Sequence, residues 1–169
     1  MIATVVFAAL VAAASPAPVS LPAVPVTGTL ARDRFSFDAT ARATAPRVAV
    51  AAMDANRSVA TFGGVALAEI LREAGAPIGD AVRGPAARAF VIVHATDGYA
   101  AVFSLAETQN ADARCAPILA DTRDGGALDA TSGPLRIVAP CDLTHARWVH
   151  GVASLEIVVV PGASVHSEH

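Results

Sequence analysis

Residues 90–107, FVIVHATDGYAAVFSLAE, carry the strongest local signal in the chain. A β-branched apolar run, an Asp-Gly pair and a second apolar run predict two strands that fold back on one another, because Asp-Gly accepts the positive φ angles of a tight turn. The expected result is a hairpin in the core of a globular domain. Upstream, residues 47–53 (RVAVAAM) alternate as a strand does, 54–57 (DANR) supply turn chemistry and 58–62 return, making a second hairpin. Residues 26–30 and 35–40 read as extended pieces, the latter leading into a turn of helix. Residues 64–75 (GVALAEILREAG) read as the one clear amphipathic helix. There Leu67, Ile70, Leu71 and Ala74 form an apolar stripe, Glu69, Arg72 and Glu73 face water, and Gly75 ends the helix. Downstream, 122–128 (TRDGGAL) contain a tight reversal, and 135–139 and 154–160 read as strands. Many short strands with one good helix predict an α+β, mainly β domain.

With 169 residues, 54% of them hydrophobic, the chain is long enough for one well-buried domain. The net charge is −3 and all 12 basic residues are arginines scattered without a run, which leaves no electrostatic footprint for nucleic acid. At the start, IATVVFAALVAAA (2–14) is too short for a span of about 20 residues and has the length and small-residue flank of a secretory signal. The expected organisation is a signal peptide over 1–20, a proline-rich linker over 21–25, a domain over 26–160 and a loose tail over 161–169. An exported protein, periplasmic or secreted, with no membrane span after cleavage follows from it. Cys115 and Cys141 either pair, as an oxidising compartment allows, or remain two thiols.

Several segments, in order, resemble the molybdopterin-binding domain of the sulfite oxidase family. Residues 64–75 are similar to that family's G-V-x-L-x-x-L-L-x-x-A-G helix. Asp97-Gly98-Tyr99 with FSLA (103–106) resembles its D-G-Y strand and turn, and ILA (118–120) with DGGAL (124–128) its L-L-A…N-G-x-P-L stretch. GPLRIVAP (133–140) resembles its G-x-P-x-R-x-V-x-P strand, and Arg147-Trp148-Val149 with LEI (155–157) its K-W-[VL]…I-x-V ending. The resemblance covers residues 26–160 and implies that family's fold.

Fold alone does not carry function, so the implied site is taken residue by residue. In the family a cysteine near the first hairpin and helix binds molybdenum through its soft thiolate. The corresponding residues here, 48–57 (VAVAAMDANR), contain no cysteine, and Cys141 stands where the family usually has glycine. Ser132 replaces the histidine that precedes G-x-P and contacts the cofactor. Arg136 and Arg147 remain as guanidinium groups able to hold a phosphate, with the turn at Asp97 and Tyr99 beside them. Against that, Arg136 on a strand also reads as facing solvent or pairing with a carboxylate. Trp148 reads as a lid packed on the core, and Asp97 and Tyr99 as turn and strand residues. His94, His145 and His150 lack metal-ligand spacing, so no metal ligands are assigned. Ser104 and Ser132 lack a G-x-S-x-G elbow, and no residue receives a catalytic role.

The expectation is a stand-alone exported domain without a cofactor, acting as a binding or accessory module for a small anion or a partner protein. The alternative is a molybdopterin-dependent oxidoreductase, or a subunit of one, that holds its cofactor without a protein cysteine. Arg136, Arg147, Asp97, Tyr99 and Ser132 would then frame the pterin.

Overall fold

Two five-stranded sheets share one hydrophobic core in the computed structural model, which describes residues 20–29, 32, 34–109 and 112–161. The expected signal peptide, apart from Ser20, and the expected tail beyond Pro161 lie outside the described residues. In chain order the elements are β1 (Val24–Gly28), β2 (Phe35–Phe37), α1 (Ala39–Thr44), β3 (Arg47–Met53), β4 (Val59–Ala66), α2 (Leu67–Glu73), β5 (Ala89–Ala95), β6 (Ala100–Ser104), β7 (Ile118–Arg123), β8 (Gly126–Ala127), β9 (Arg136–Val138) and β10 (Val152–Val159).

The first sheet has the order β2-β1-β10-β5-β6. Only β1 and β10 run parallel, with Val26 beside Leu155. The central hairpin pairs Phe90 with Ser104 and His94 with Ala100, as the sequence predicts. Its turn is looser than a two-residue Asp-Gly reversal. The Gly98 N–H donates to Ala95 O, Ala95 N–H to Tyr99 O, and only Gly98 (φ 88°) takes a positive φ. That is a three-residue loop whose glycine occupies the left-handed position. The two-residue reversal lies instead at Asp124 (φ 49°) and Gly125 (φ 81°), joining β7 to β8.

The second sheet runs β3-β4-β7-β8, with β9 also on β7. The predicted hairpin over 47–62 forms, with Arg47 opposite Val65 and Met53 opposite Val59. The helix begins later than its apolar pattern suggests. Gly64, Val65 and Ala66 belong to β4, paired with Ala120, Leu119 and Ile118 of β7. A Cβ at Gly64 would sit 2.1 Å from Leu119 O, so the close strand pairing requires glycine there. From Leu67 the predicted stripe holds: Leu67, Ile70, Leu71 and Ala74 are fully buried. The helix ends as expected, with Gly75 N–H donating to Arg72 O and Ala76 N–H to Leu71 O. A second short helix, α1, is capped by Asp38, whose carboxylate accepts from the N–H groups of Thr40 and Ala41.

β1 begins at Val24, within the stretch read as linker. Val24 and Val26 are both fully buried on β1, and the Arg42 guanidinium donates to Pro22 O at 2.7 Å while stacking on Phe37. Residues 148–152 tie the sheets together, with Ile137 N–H donating to Val149 O and Val152 N–H to Leu135 O.

Cys115 and Cys141 form a disulfide. Cys115 lies three residues before Ile118 and Cys141 three after its partner Val138, so the bridge prolongs the β7–β9 register. Closing a loop of this length is worth about 3.5 kcal/mol in the chain-entropy model. Replacing both cysteines with serine is expected to lower the denaturant midpoint accordingly. Unreduced, unfolded wild type should titrate no thiol, and two thiols would count against the bridge.

Candidate functional site

A carboxylate on the β3–β4 turn and an arginine on β9 organise the deepest polar cluster. The turn over residues 54–57 closes through Arg57 N–H to Asp54 O and Asp54 N–H to Ser58 O, both 2.8 Å, with Arg57 at φ 62°. This geometry turns the Asp54 side chain inward, where it is buried. Its carboxylate accepts from Ala55 N–H at 2.8 Å and from Arg136 Nη2 at 3.3 Å, and lies 3.1 Å from an Arg123 guanidinium nitrogen. Burial works against ionisation of Asp54. The Ala55 N–H and the guanidinium groups of Arg136 and Arg123 together outweigh it and hold the carboxyl below the ordinary range.

Arg136 is 2% exposed, so it does not face solvent. Its guanidinium lies 4.8 Å from the Trp148 ring centre and 5.3 Å from that of Phe62, placing an aromatic face against the cation twice. Burial lowers its pKa while Asp54 opposes the change, and Nε is buried without a hydrogen-bond partner. Trp148 is itself buried, donates Nε1–H to Ala139 O at 2.9 Å and meets Phe62 edge to face. The expected lid over the core is therefore also the wall that houses a cation.

Arg147 belongs to a different cluster. Its guanidinium is held by Asp142 through two hydrogen bonds of 2.9 and 2.6 Å, by Glu107 at 3.0 Å, and stacks 4.5 Å from the Phe103 ring centre. Asp142 leads in raising its pKa and Glu107 adds to it, against burial. Tyr99 is drawn to the same region, its hydroxyl donating to Ala146 O, while Asp97 only closes the hairpin turn through Tyr99 N–H. Ser132 is turned away: its N–H donates to the Asp129 carboxylate, in a turn that precedes the cis Gly133–Pro134 bond. Thr131 foremost, then Ser132, holds the Asp129 carboxyl down to about 2. The five predicted positions thus occupy three places: Arg136 with Asp54, Ser132 with Asp129, and Arg147 near Tyr99, whose N–H also donates to Asp97 in the hairpin turn.

Two cavities flank these clusters and share Asp142. One, about 220 Å³, lies between Phe103, Glu107, Arg147 and the disulfide. The other, about 470 Å³, opens between the β3–β4 turn (Met53, Asp54, Ala55, Arg57) and the loop carrying Pro140, Leu143, His145 and Trp148. At the second, Leu143 is fully exposed, Met53 is 59% exposed, and His145 Nε2 lies 2.7 Å from Met53 O as donor. The histidines do not converge. His94 faces Glu156 at 3.2 Å and His150 lies 3.3 Å from Thr131 O, and no group of three or more His, Cys, Asp or Glu able to hold a metal occurs among the described residues.

Asp54 and Asp142 are the residues sequence reasoning missed. Asp54 reads as a turn former and Asp142 received no role, and only the pairing of β9 and the path of residues 139–148 bring arginines to them.

No protein-family model and no curated protein matches the chain. Among solved structures the chain is similar to the sulfane dehydrogenase SoxCD from Paracoccus pantotrophus, with a TM-score of 0.62 and 18% identity. The likeness covers 80% of this chain and 37% of that one. It shows the fold, mixed and mainly β, of a sulfite-oxidase-type domain, as the sequence resemblance implies.

Removing the Asp54 carboxylate leaves a buried cation unpaired, so Asp54→Ala is expected to cost about 3–5 kcal/mol in denaturant unfolding. Because the native pKa of Asp54 is depressed, its stabilisation is complete above the unfolded value of about 4 and is lost as pH falls through the native value. Asp54→Asn should lower stability at neutral pH and make the acid limb shallower. An unchanged acid limb would place that dependence on other carboxylates.

Proposed function

We propose that this chain is an exported binding or accessory module, built on the fold of a molybdopterin oxidoreductase domain, in which the groups that would hold a cofactor serve the protein's own core. One observation carries the reading. The two arginines expected to hold an anion are occupied internally, Arg136 by Asp54 between two aromatic rings and Arg147 by Asp142 and Glu107. The stretch in which the resemblance calls for a thiolate, 48–57, places a buried carboxylate at the end of β3 instead, and both cysteines are consumed in a disulfide. The residues present do not fit a molybdopterin. An enzyme reading would need the cofactor's phosphate to displace carboxylates from arginines already neutralised in a partly desolvated setting.

The disulfide supports export, since such bridges persist in oxidising compartments. The occupant that suits the surface is a partner protein. Arg57 alone among the arginines lines the larger cavity, whereas Leu143 at its mouth offers an apolar contact that water does not reward.

The test is metal and pterin content of protein purified from its exported location, by elemental mass spectrometry and pterin fluorescence. Neither is expected. Stoichiometric molybdenum with pterin would overturn the proposal in favour of an oxidoreductase. Millimolar phosphate is expected to leave Tm unchanged, and a concentration-dependent rise lost on replacing Arg57 would point to a small-anion ligand.

A further inference from the structure

Strand edges expose rows of unpaired N–H and C=O groups, and natural sheets blunt them. Among the described residues β9, which lies beside β8 on β7, is covered by residues 149–150, and three of the other four outer edges are blunted. β2 has three residues and β8 two. β6 is overlaid by the turn at residues 145–147, with Arg147 Nη1 donating to Val102 O at 3.5 Å and the Tyr99 hydroxyl reaching Ala146 O. The fourth edge, β3, is different. It is seven residues long, pairs only with β4, and its sequence RVAVAAM contains no lysine, acid, proline or glycine.

Its solvent face is small and apolar. Ala49, Ala51 and Met53 are exposed on β3, with Val59 and Thr61 opposite them on β4. The single charge, Arg47, is neutralised within the chain by a two-bond pairing with Asp121, one bond being 2.9 Å. An antiparallel pairing of β3 with β3 of a second copy, about a twofold axis through Val50, sets Arg47 opposite Met53, Val48 opposite Ala52 and Ala49 opposite Ala51. No like charges meet in that register, the pairing satisfies the outward N–H and C=O groups of Ala49 and Ala51, and both Arg47–Asp121 pairs stay intact, while Met53 O keeps the hydrogen bond it already accepts from His145 Nε2 at 2.7 Å. The edge meets its own copy without like-charge opposition and with N–H facing C=O, as a twofold interface requires.

We propose that β3 is a homodimerisation edge, through which two copies join their second sheets into one continuous sheet. This is independent of whether the chain binds a cofactor.

The register supplies its own test. In the full chain, Ala49→Glu together with Ala51→Glu places like charges directly across the twofold twice, whereas Ala49→Lys with Ala51→Glu places opposite charges there. Both positions are exposed, so neither pair is expected to disturb the fold, and circular dichroism checks this. By sedimentation equilibrium the wild type should have twice the monomer mass, the Glu/Glu variant the monomer mass, and the Lys/Glu variant twice the monomer mass again. A wild type that stays monomeric, or a Glu/Glu variant that stays dimeric, overturns the proposal. So does a monomer whose β3 amides are protected from exchange, since the chain itself would then cover the edge.

Discussion

The structure depends on a buried cation. Moving a guanidinium out of water is costly, and Arg136 is tolerated because Asp54 neutralises it while Trp148 and Phe62 cover its faces. Each partner comes from a different part of the chain: Asp54 from the β3–β4 turn, Phe62 from β4 and Trp148 from the approach to β10. Satisfying the charge therefore fixes how the first hairpin of the second sheet meets the segment that links both sheets. Arg123 adds a second guanidinium at the same carboxylate, so the turn of residues 54–57 is held from two strands.

A fold of this kind does not by itself carry a function, because a fold is maintained by the sum of its packing while a site depends on a few side chains and what they face. Arg136 and Arg147 each face carboxylates of this chain. Asp54 neutralises Arg136 within the core, whereas Asp142 and Glu107 hold Arg147 at a partly exposed position.

Local patterns carried much of the architecture. The 90–107 and 47–62 hairpins rest on β-branched runs around turn residues, and the stripe Leu67, Ile70, Leu71, Ala74 rests on helical periodicity. Both are short-range constraints that a sequence displays directly. Boundaries failed where a tertiary neighbour overruled the pattern. Gly64 to Ala66 fit an apolar helix start, yet β7 claims them as strand because its backbone approaches too closely for any side chain at Gly64. At the Asp-Gly sites, the dipeptide allows more than one reversal. The register of the flanking strands set a three-residue loop at Gly98 and a two-residue turn at Asp124 and Gly125.

By itself the sequence determined the class of the domain, its hairpins, the face of its helix and the residues able to carry charge, since these follow from periodicity and turn chemistry within a few positions of one another. The tertiary structure alone decided what those charges meet. Asp54 and Arg136 are separated by 82 residues. Cys115 faces Cys141 only once β7 and β9 are in register. The open edge of β3 exists only because no other described strand lies beside it. Contacts between distant segments are set by packing and strand register, which no local pattern encodes.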